Sequence, residues 1–585
     1  MMIKILKNLT KRDIILIIIS IILMIAQIFL ELKLPDYMSN ITILVQTEGT
    51  KISEILLNGS KMLLCAGGSL ISAIIVGYLM AVMSSNFSRN LRTKLFKKVE
   101  KFNMEEIKEF STSSLITRTT NDITNIEMFL SMSMIVLIKA PITAVWAVLK
   151  ILNKNLVWSM ITGIAVLILL ITIAILLVVV FPKFKIVQKL IDKINDLTRE
   201  SLTGLRVIRA FNAENYQEEK FSIANNNLTK TLKFNQKTMS ILSPIMYLVM
   251  NLLTLSIYFV GAYLINNTIL SNKITMFSNM VVFSSYAMQV IMSFLMFSMM
   301  FIMYPRASVS ATRVLEVLKR KVSIKDGTFE GVTEKYGEVE FKNVSFKYPD
   351  SEEYLLKDIS FKVNSGETIA FIGSTGSGKS TLINLVPRFY DVTEGSILID
   401  GIDVRDYKLS TLHDKLGYVS QKAIMFNESV EYNVSYGTKE KVNKEKLKES
   451  IGVAQASTFI ESMKDKYKSV ISQGGTNISG GQKQRISIAR AIYKNPEIYI
   501  FDDSFSALDY KTDYNLRNEL NKYTANSTKM IVASRVGTII NADKIVVLDK
   551  GICVGIGTHK ELLKKCKIYK EIAYSQLSKE ELENA

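Results

Sequence analysis

Apolar residues come in long blocks in the first half of the chain and in short alternations in the second. Six apolar stretches, near 14–34, 61–83, 128–149, 156–181, 241–265 and 276–303, are each long enough for a helix to cross a bilayer, which takes about 20 such residues. The opening MMIKILKNLTKRD is basic, but the apolar run behind it is too long for a signal peptide and no small-residue cleavage pattern follows. Residues 1–13 are therefore expected to be a cytoplasmic amphipathic elbow ahead of a retained first span. The connections 84–127 and 182–240 are over 40 residues long and poor in Pro and Gly, which predicts helical extensions of the spans rather than loops. After about residue 325 the long blocks stop, and short strands alternate with helices.

Composition sharpens this division. A chain of 585 residues exceeds one small core, and 48% hydrophobic beside 22% charged residues excludes both a disordered chain and a plain soluble enzyme. The formal charge of +18 first suggests nucleic acid as a partner. Basic residues, however, gather outside the spans: Lys4, Lys7, Lys11 and Arg12 at the start, and Arg89, Arg92, Lys94, Lys97, Lys98, Lys101, Lys108 and Arg118 in the first long connection. The second long connection is similarly basic, and the other three are poorer. Positive charge on the inner side of a membrane accounts for that distribution without nucleic acid. It places the N-terminus and both long connections in the cytoplasm. Cys65, Cys553 and Cys566 have no metal-ligand spacing, and His413 and His559 are the only histidines, so neither a zinc site nor a disulfide framework is expected.

Charge is nearly absent inside the spans, with Lys139, just before Pro141, as the exception. That lysine either snorkels or pairs with backbone near the inner leaflet, or it touches a transported substrate. The sixth span is rich in methionine: Met276, Met280, Met288, Met292, Met296, Met299, Met300 and Met303. Steps of three, four and eight put most of them on one broad helical face. Such a face suits packing, or a wall that accepts many shapes, with Met292, Met296 and Met299 as cavity candidates.

In the second half, Glu338 to Phe346 alternates as a half-buried strand once a bulge is allowed, with Val339, Phe341, Val344 and Phe346 on one side. The strand Thr368 to Ile372 runs into Gly373, Ser374, Thr375, Gly376, Ser377, Gly378, Lys379 and Ser380, followed by Thr381. This is a complete phosphate-binding loop between a strand and a helix. Its backbone N–H groups and the helix N-terminus suit phosphate oxygens, Lys379 the terminal phosphates, and Ser380 a Mg2+ ion. A buried strand, Glu497 to Phe501, ends at Asp502, placed to hold the same metal. ATP and Mg2+ are the expected cofactors.

The run Ile478, Ser479, Gly480, Gly481, Gln482 opens a helix in the way a serine cap and glycines often do. Taken with the loop and Asp502, it resembles the nucleotide-binding domain of ATP-binding cassette (ABC) proteins. Tyr348 resembles the aromatic residue that stacks on adenine, Gln421 the metal-contacting glutamine, and Ser506 to Asp509 the D-loop. The six spans resemble the exporter-type (type IV) membrane domain of the same family. The resemblance implies a helical membrane domain at 14–310, a linker at 311–335 and an α/β nucleotide-binding domain at 336–585. It implies that two chains pair head to tail in a bacterial plasma membrane, with Ser479, Gly480, Gly481, Gln482 and Asp509 completing the partner's nucleotide site. Helix ends near Ser111–Thr124 and Ala210–Phe221 would then couple the domains, and both nucleotide-binding domains would be cytoplasmic.

Two positions depart from the family pattern. Asp503 stands where glutamate orients the attacking water, and the missing methylene withdraws the carboxylate by roughly the 1.5 Å of a C–C bond. Ser534 stands where a histidine contacts the terminal phosphate. With the loop and signature run otherwise intact, the resemblance narrows to the impaired-site subunit of heterodimeric multidrug exporters. Its partner would carry the missing Glu and His and an altered signature, and its cargo would be amphipathic small molecules. A lipid, peptide or siderophore cargo and a mainly regulatory ATP-binding role are the alternatives.

Overall fold

The computed structural model describes residues 2–47, 49–152, 156–269, 272–438 and 440–578. The chain separates into two units, Met1–Lys101 with Ser111–Arg320, and Phe102–Phe110 with Lys321–Ala585.

The first unit is helical. A short helix, α1 (Met2–Leu6), precedes α2 (Lys11–Gln46), whose start is fixed by a reciprocal cap: Thr10 Oγ1 accepts from the Asp13 amide and Asp13 Oδ2 accepts from the Thr10 amide. Then come α3 (Ile52–Val99), α4 (Met104–Phe110, which belongs to the second unit), α5 (Thr112–Thr119), α6 (Asn121–Leu152) and α7 (Leu156–Thr203). The series ends with α8 (Leu205–Ala210), α9 (Glu214–Ser240), α10 (Leu242–Asn266) and α11 (Lys273–Lys319). Among the described residues six helical segments are long and apolar enough to cross a membrane: Lys11–Gln46, Ile52–Val99, Thr112–Leu152, Leu156–Thr203, Glu214–Asn266 and Lys273–Phe297.

Lipid tails are as apolar as these side chains, so the helices associate through close packing and polar contacts rather than water exclusion. Gly261 on α10 illustrates this, since a Cβ there would lie 2.3 Å from the Met280 sulfur on α11. Trp158, Phe283 and Tyr286 are fully buried beside Ile28 and Leu32 in the same cluster.

Two expectations are corrected here. Residues 311–319 are not linker, because Ala311, Val314 and Val317 are fully buried and carry α11 on to Lys319. Helix ends fall in both stretches expected to couple the domains, α5 to α6 within 111–124 and α8 to α9 within 210–221, while Phe102–Phe110 groups with the second unit. The spans also hold more charge than hydropathy suggested: Glu31 pairs with Lys139 at 2.9 Å and Asp36 with Lys150 at 2.8 Å.

The second unit contains, among the described residues, two sheets. Strands β1 (Val339–Phe346), β2 (Leu356–Val363), β4 (Glu394–Ile399) and β5 (Ile402–Asp403) form an antiparallel sheet in the order β2-β1-β4-β5, with β3 (Thr368–Gly373) lying elsewhere. The expected bulge lies between Phe341 and Val344, and Val339, Phe341, Val344 and Phe346 are buried. Strands β6 (Leu416–Val419), β7 (Ile498–Asp502), β8 (Thr528–Val532), β9 (Lys544–Asp549) and β10 (Ile552–Gly557) join β3 in the order β10-β9-β3-β8-β7-β6. Only the β9–β10 pair is antiparallel. Every residue of β7 and β8 is buried, as strands covered on both faces of a parallel sheet should be.

Candidate functional site

Four adjacent parallel strands, β3, β8, β7 and β6, point their C-terminal ends the same way. The phosphate-binding loop follows β3, Ala533 and Ser534 follow β8, Asp503 follows β7, and Gln421 lies two residues beyond β6, exposed. Register brings them level, because Phe371 pairs with Val532 and Val532 with Asp502. The polar residues read from separate motifs therefore meet at one sheet edge, where ligands of open α/β sheets bind.

The loop is shaped by its glycines. Gly376 and Gly378 have φ of 83° and 93°, a left-handed region costly to other residues. A Cβ at Gly378 would stand 2.6 Å from the Leu356 side chain, whereas at Gly376 it would meet nothing within 4 Å. The backbone thus leaves an open cradle ahead of α12 (Lys379–Asn384). Lys379 Nζ donates to the carbonyls of Gly373 at 2.9 Å and Ser374 at 2.8 Å. Burial pulls its ammonium below the ordinary lysine value, against the pull of Asp503 and Asp502. Ser380 Oγ donates to Asp502 Oδ1 at 2.7 Å. Burial holds the Asp502 carboxyl above the usual range, Ser380 opposes it, and the neighbouring Asp503 adds to it. A hydroxyl on a buried carboxylate beside a phosphate cradle is a donor set that fits Mg2+ and a nucleoside triphosphate.

Asp503 adopts φ 45°, a conformation Asp tolerates better than most residues. Its carboxylate Oδ1 accepts from Ser534 Oγ at 3.1 Å. The two departing positions are thus direct partners. His413 Nε2 meets the Pro387 carbonyl at 2.9 Å, and His559, buried, meets Tyr569 Oη at 2.7 Å, so both imidazoles are engaged away from this edge.

Tyr348 Oη shares a hydrogen bond with Thr381 Oγ1 at 3.0 Å, tying the aromatic residue to the loop helix. Lys108 of α4 stands 5.5 Å over the Tyr348 ring and pairs with Asp350 at 2.9 Å. On the same helix Glu106 is fully buried and accepts from the amides of Asn103 and Ser323 at 2.8 and 2.7 Å. Ser479 and Gln482 exchange side chain and backbone bonds to cap the helix Gly480–Lys494, with Ser479 and Gly480 exposed. Asp509 caps the next helix, Tyr510–Tyr523, by accepting from the Thr512 amide at 3.0 Å.

In the membrane unit, a cavity of about 440 Å³ is lined by Glu31, Lys139, Gln289, Met292 and Met296, among others. Lys139 donates to Glu31 Oε1, so it neither snorkels to the inner leaflet nor rests on backbone. The methionine face divides: Met280 is buried in the helix core, whereas Met292 and Met296 are 46% and 45% exposed and line the cavity. The Met299 side chain lies outside the described residues.

The family description "ABC transporter" matches residues 356–506, and "ABC transporter transmembrane region" matches residues 17–294. An uncharacterized ABC transporter ATP-binding protein of Mycobacterium tuberculosis is 35% identical over 525 residues, covering 88% of each chain. Another, from Bacillus subtilis, is 32% identical over 96% of both. The chain belongs to the ABC transporter family. An ATP-dependent lipid A-core flippase of Haemophilus influenzae is 31% identical over 87% of this ABC transporter and 86% of the flippase. The solved structure of a bacterial Atm1-family ABC exporter with ATP bound shares the fold, with a TM-score of 0.81 at 23% identity over 98% and 99% of the chains.

The expected fold, six membrane helices followed by an α/β nucleotide-binding domain, is borne out. This ABC transporter is a multi-pass membrane protein that uses ATP to drive transport. Sequence reasoning missed Lys108 and Glu106 on α4, the first of them over the Tyr348 ring, and Glu31 in the cavity. The first two lie over 200 residues from their partners Asp350 and Ser323, and no local spacing signals such pairs. Glu31 was visible as a carboxylate inside an apolar stretch, a signal that charge in a span should have raised.

Proposed function

We propose that this chain is one half of a heterodimeric exporter that moves amphipathic small molecules outward across the bacterial cell membrane. Its own nucleotide site binds ATP with Mg2+ but turns it over slowly. The observation that carries this reading is the Ser534 to Asp503 hydrogen bond at the edge of β8 and β7. A hydroxyl replaces an imidazole, and the shortened carboxylate is held by that hydroxyl instead of reaching outward to a water. ATP, when bound, supplies the free energy of transport through its hydrolysis. The chain's own part is to cradle phosphates on the loop amides, to release Lys379 from the Gly373 and Ser374 carbonyls toward them, and to hold Mg2+ on Ser380 and Asp502, with Gln421 nearby. Tyr348 offers its ring to the adenine.

The exposed start of the helix Gly480–Lys494, with Ser479, Gly480 and Gly481, serves the partner's site through its amides, as does Asp509 through the D-loop. That partner carries the intact Glu and His and an altered signature. The basic connections put the N-terminus and the nucleotide-binding domain in the cytoplasm. A lipid cargo is the second reading, favoured by the likeness to the Haemophilus influenzae flippase. The experiment is ATPase of the purified chain as a verified homodimer, where Asp503 and Ser534 occur at both sites. The expected turnover is at least about a hundred-fold below that of the assembled pair. Brisk Mg2+-dependent turnover by the homodimer defeats the reading.

A further inference from the structure

The membrane cavity contains an ion pair that is only half used. Gln27 Nε2, Ser69 Oγ and Lys139 Nζ all donate to the same oxygen, Glu31 Oε1, at 2.8, 3.2 and 2.9 Å. Glu31 Oε2 has no partner among the described residues, and Lys139 has spent one of its three N–H donors there. Two further lining groups are also open: Thr143 Oγ1, on a residue only 7% exposed, and Gln289 Oε1 are both buried without a hydrogen bond. Other threonines on these helices, Thr124 on α6 and Thr42 on α2, bond the carbonyl four residues back, so the open hydroxyl of Thr143 is not a general habit of the helix. Thioethers of Met292 and Met296 complete the wall.

Unpaired polar atoms in an apolar setting are costly, and charge within a span commonly marks a transport path. The pair is neutral overall yet offers one free anionic oxygen and free ammonium donors side by side. A ligand with net charge of either sign would leave that charge uncompensated among apolar side chains. We infer that this cavity binds a net-neutral zwitterion, with its ammonium on Glu31 Oε2 and Gln289, its anionic oxygens on Lys139 and Thr143, and its apolar part on the thioethers. The inference rests on the proposed transport of amphipaths and names their charge class. The same chemistry occurs in a small apolar peptide and in a phosphoethanolamine lipid headgroup.

The test uses the full chain in lipid nanodiscs, with binding read from the fluorescence of Trp146, three residues after Thr143 on α6. The probes are leucyl-leucine, its amide, its N-acetyl acid and its N-acetyl amide, which are zwitterion, cation, anion and neutral on one apolar frame. Lysophosphatidylethanolamine provides the lipid arm. The zwitterion is expected to bind at least about ten-fold tighter than each of the other three dipeptides, one charge-assisted hydrogen bond being worth that much. Glu31→Gln and Lys139→Met should each remove the preference. If either lone charge prevents folding, the neutral double variant Glu31→Gln/Lys139→Gln carries the test, and it should bind all four dipeptides within about two-fold of one another. A stronger response to the lysolipid or to leucyl-leucine assigns the source, and either supports the inference. Equal binding of the four dipeptides to the unaltered chain, no binding at all, or a preference that survives the double variant overturns it. Transport by the assembled pair in proteoliposomes separates the two readings. If a neutral amphipathic dye moves while the preference is absent, only the zwitterion inference falls; if the preference is present and no amphipath moves, the exporter reading falls and the binding site stands.

Discussion

The nucleotide edge and the membrane cavity both concentrate polar and charged groups, and they do so by opposite means. At the nucleotide edge the cradle is backbone: left-handed glycines and strand ends present amides, and Lys379 folds onto carbonyls five and six residues away. In the cavity the polar groups are side chains from different helices, with Glu31 and Lys139 separated by 108 positions. Chemistry built on backbone is carried by a short string of residues and tolerates change around it. Chemistry built on side-chain pairs depends on how helices pack, and any one member can be lost without altering a recognisable motif.

The sharpest break in this comparison comes from the backbone-built side. In an assembled pair, Gly480→Asp should lower ATP hydrolysis by about 10²-fold or more, since it sets a carboxylate at an amide cluster meant for a phosphate. Lys379→Ala, at the site proposed to be impaired, should weaken nucleotide retention and leave measurable turnover. Parallel ATPase and nucleotide-trapping assays read both, and equal losses from the two changes would remove the asymmetry.

Within the membrane unit, Met280→Ala should cost about 2 kcal/mol or more, because it empties a buried position under Gly261. Met292→Ala should leave thermal stability nearly unchanged and reorder the transported dyes. Thermal unfolding with a dye-export panel decides it. Matching stability losses at the two positions would make the whole stripe packing.

At the departing pair, Asp503→Glu and Ser534→His act through one contact, so their gains should be coupled by about 1 kcal/mol or more. Glutamate also tolerates the left-handed backbone at 503 less well than aspartate. ATPase in pairs whose partner glutamate is removed reports the coupling. Full recovery from Asp503→Glu alone would mean Ser534 is no defect.

How much of this was legible beforehand follows the same division. The loop at 373–380, Asp502 and the strands beneath them were readable because a buried parallel strand and its phosphate turn are written contiguously. The bulge in β1 was readable because only a bulge places Val339, Phe341, Val344 and Phe346 on one side. The end of α11 was misread, since Ala311 to Lys319 mixes charges with apolar residues at helical spacing and resembles a linker when averaged. The partner of Lys139 was not legible because it lies in another span, and hydropathy averages conceal a single carboxylate such as Glu31.

The smallest expected effect concerns pH. The Asp502 proton is held above the usual carboxylate range by burial, and a proton competes with Mg2+ for the same oxygens. Lowering the pH from about 7.5 to about 5.5 should therefore weaken Mg2+-dependent nucleotide retention more than an exposed aspartate would predict. Asp502→Asn should flatten that slope in a binding titration, and an unchanged slope would assign it to another group.

The unbroken helix α11 has a mechanical meaning. Its 47 residues make a rod of roughly 70 Å. Near one end it carries Tyr286, bonded to Asp36 at 2.7 Å, and toward the other Arg313, paired with Asp122 at 3.3 Å. A tilt of about 5° around one end sweeps the other through about 6 Å at that length. Met292, on the cavity wall, and Arg313 sit on this one rod about 32 Å apart, so the same tilt about either displaces the other by about 3 Å, and Pro305 between them is the place where that coupling can be relieved.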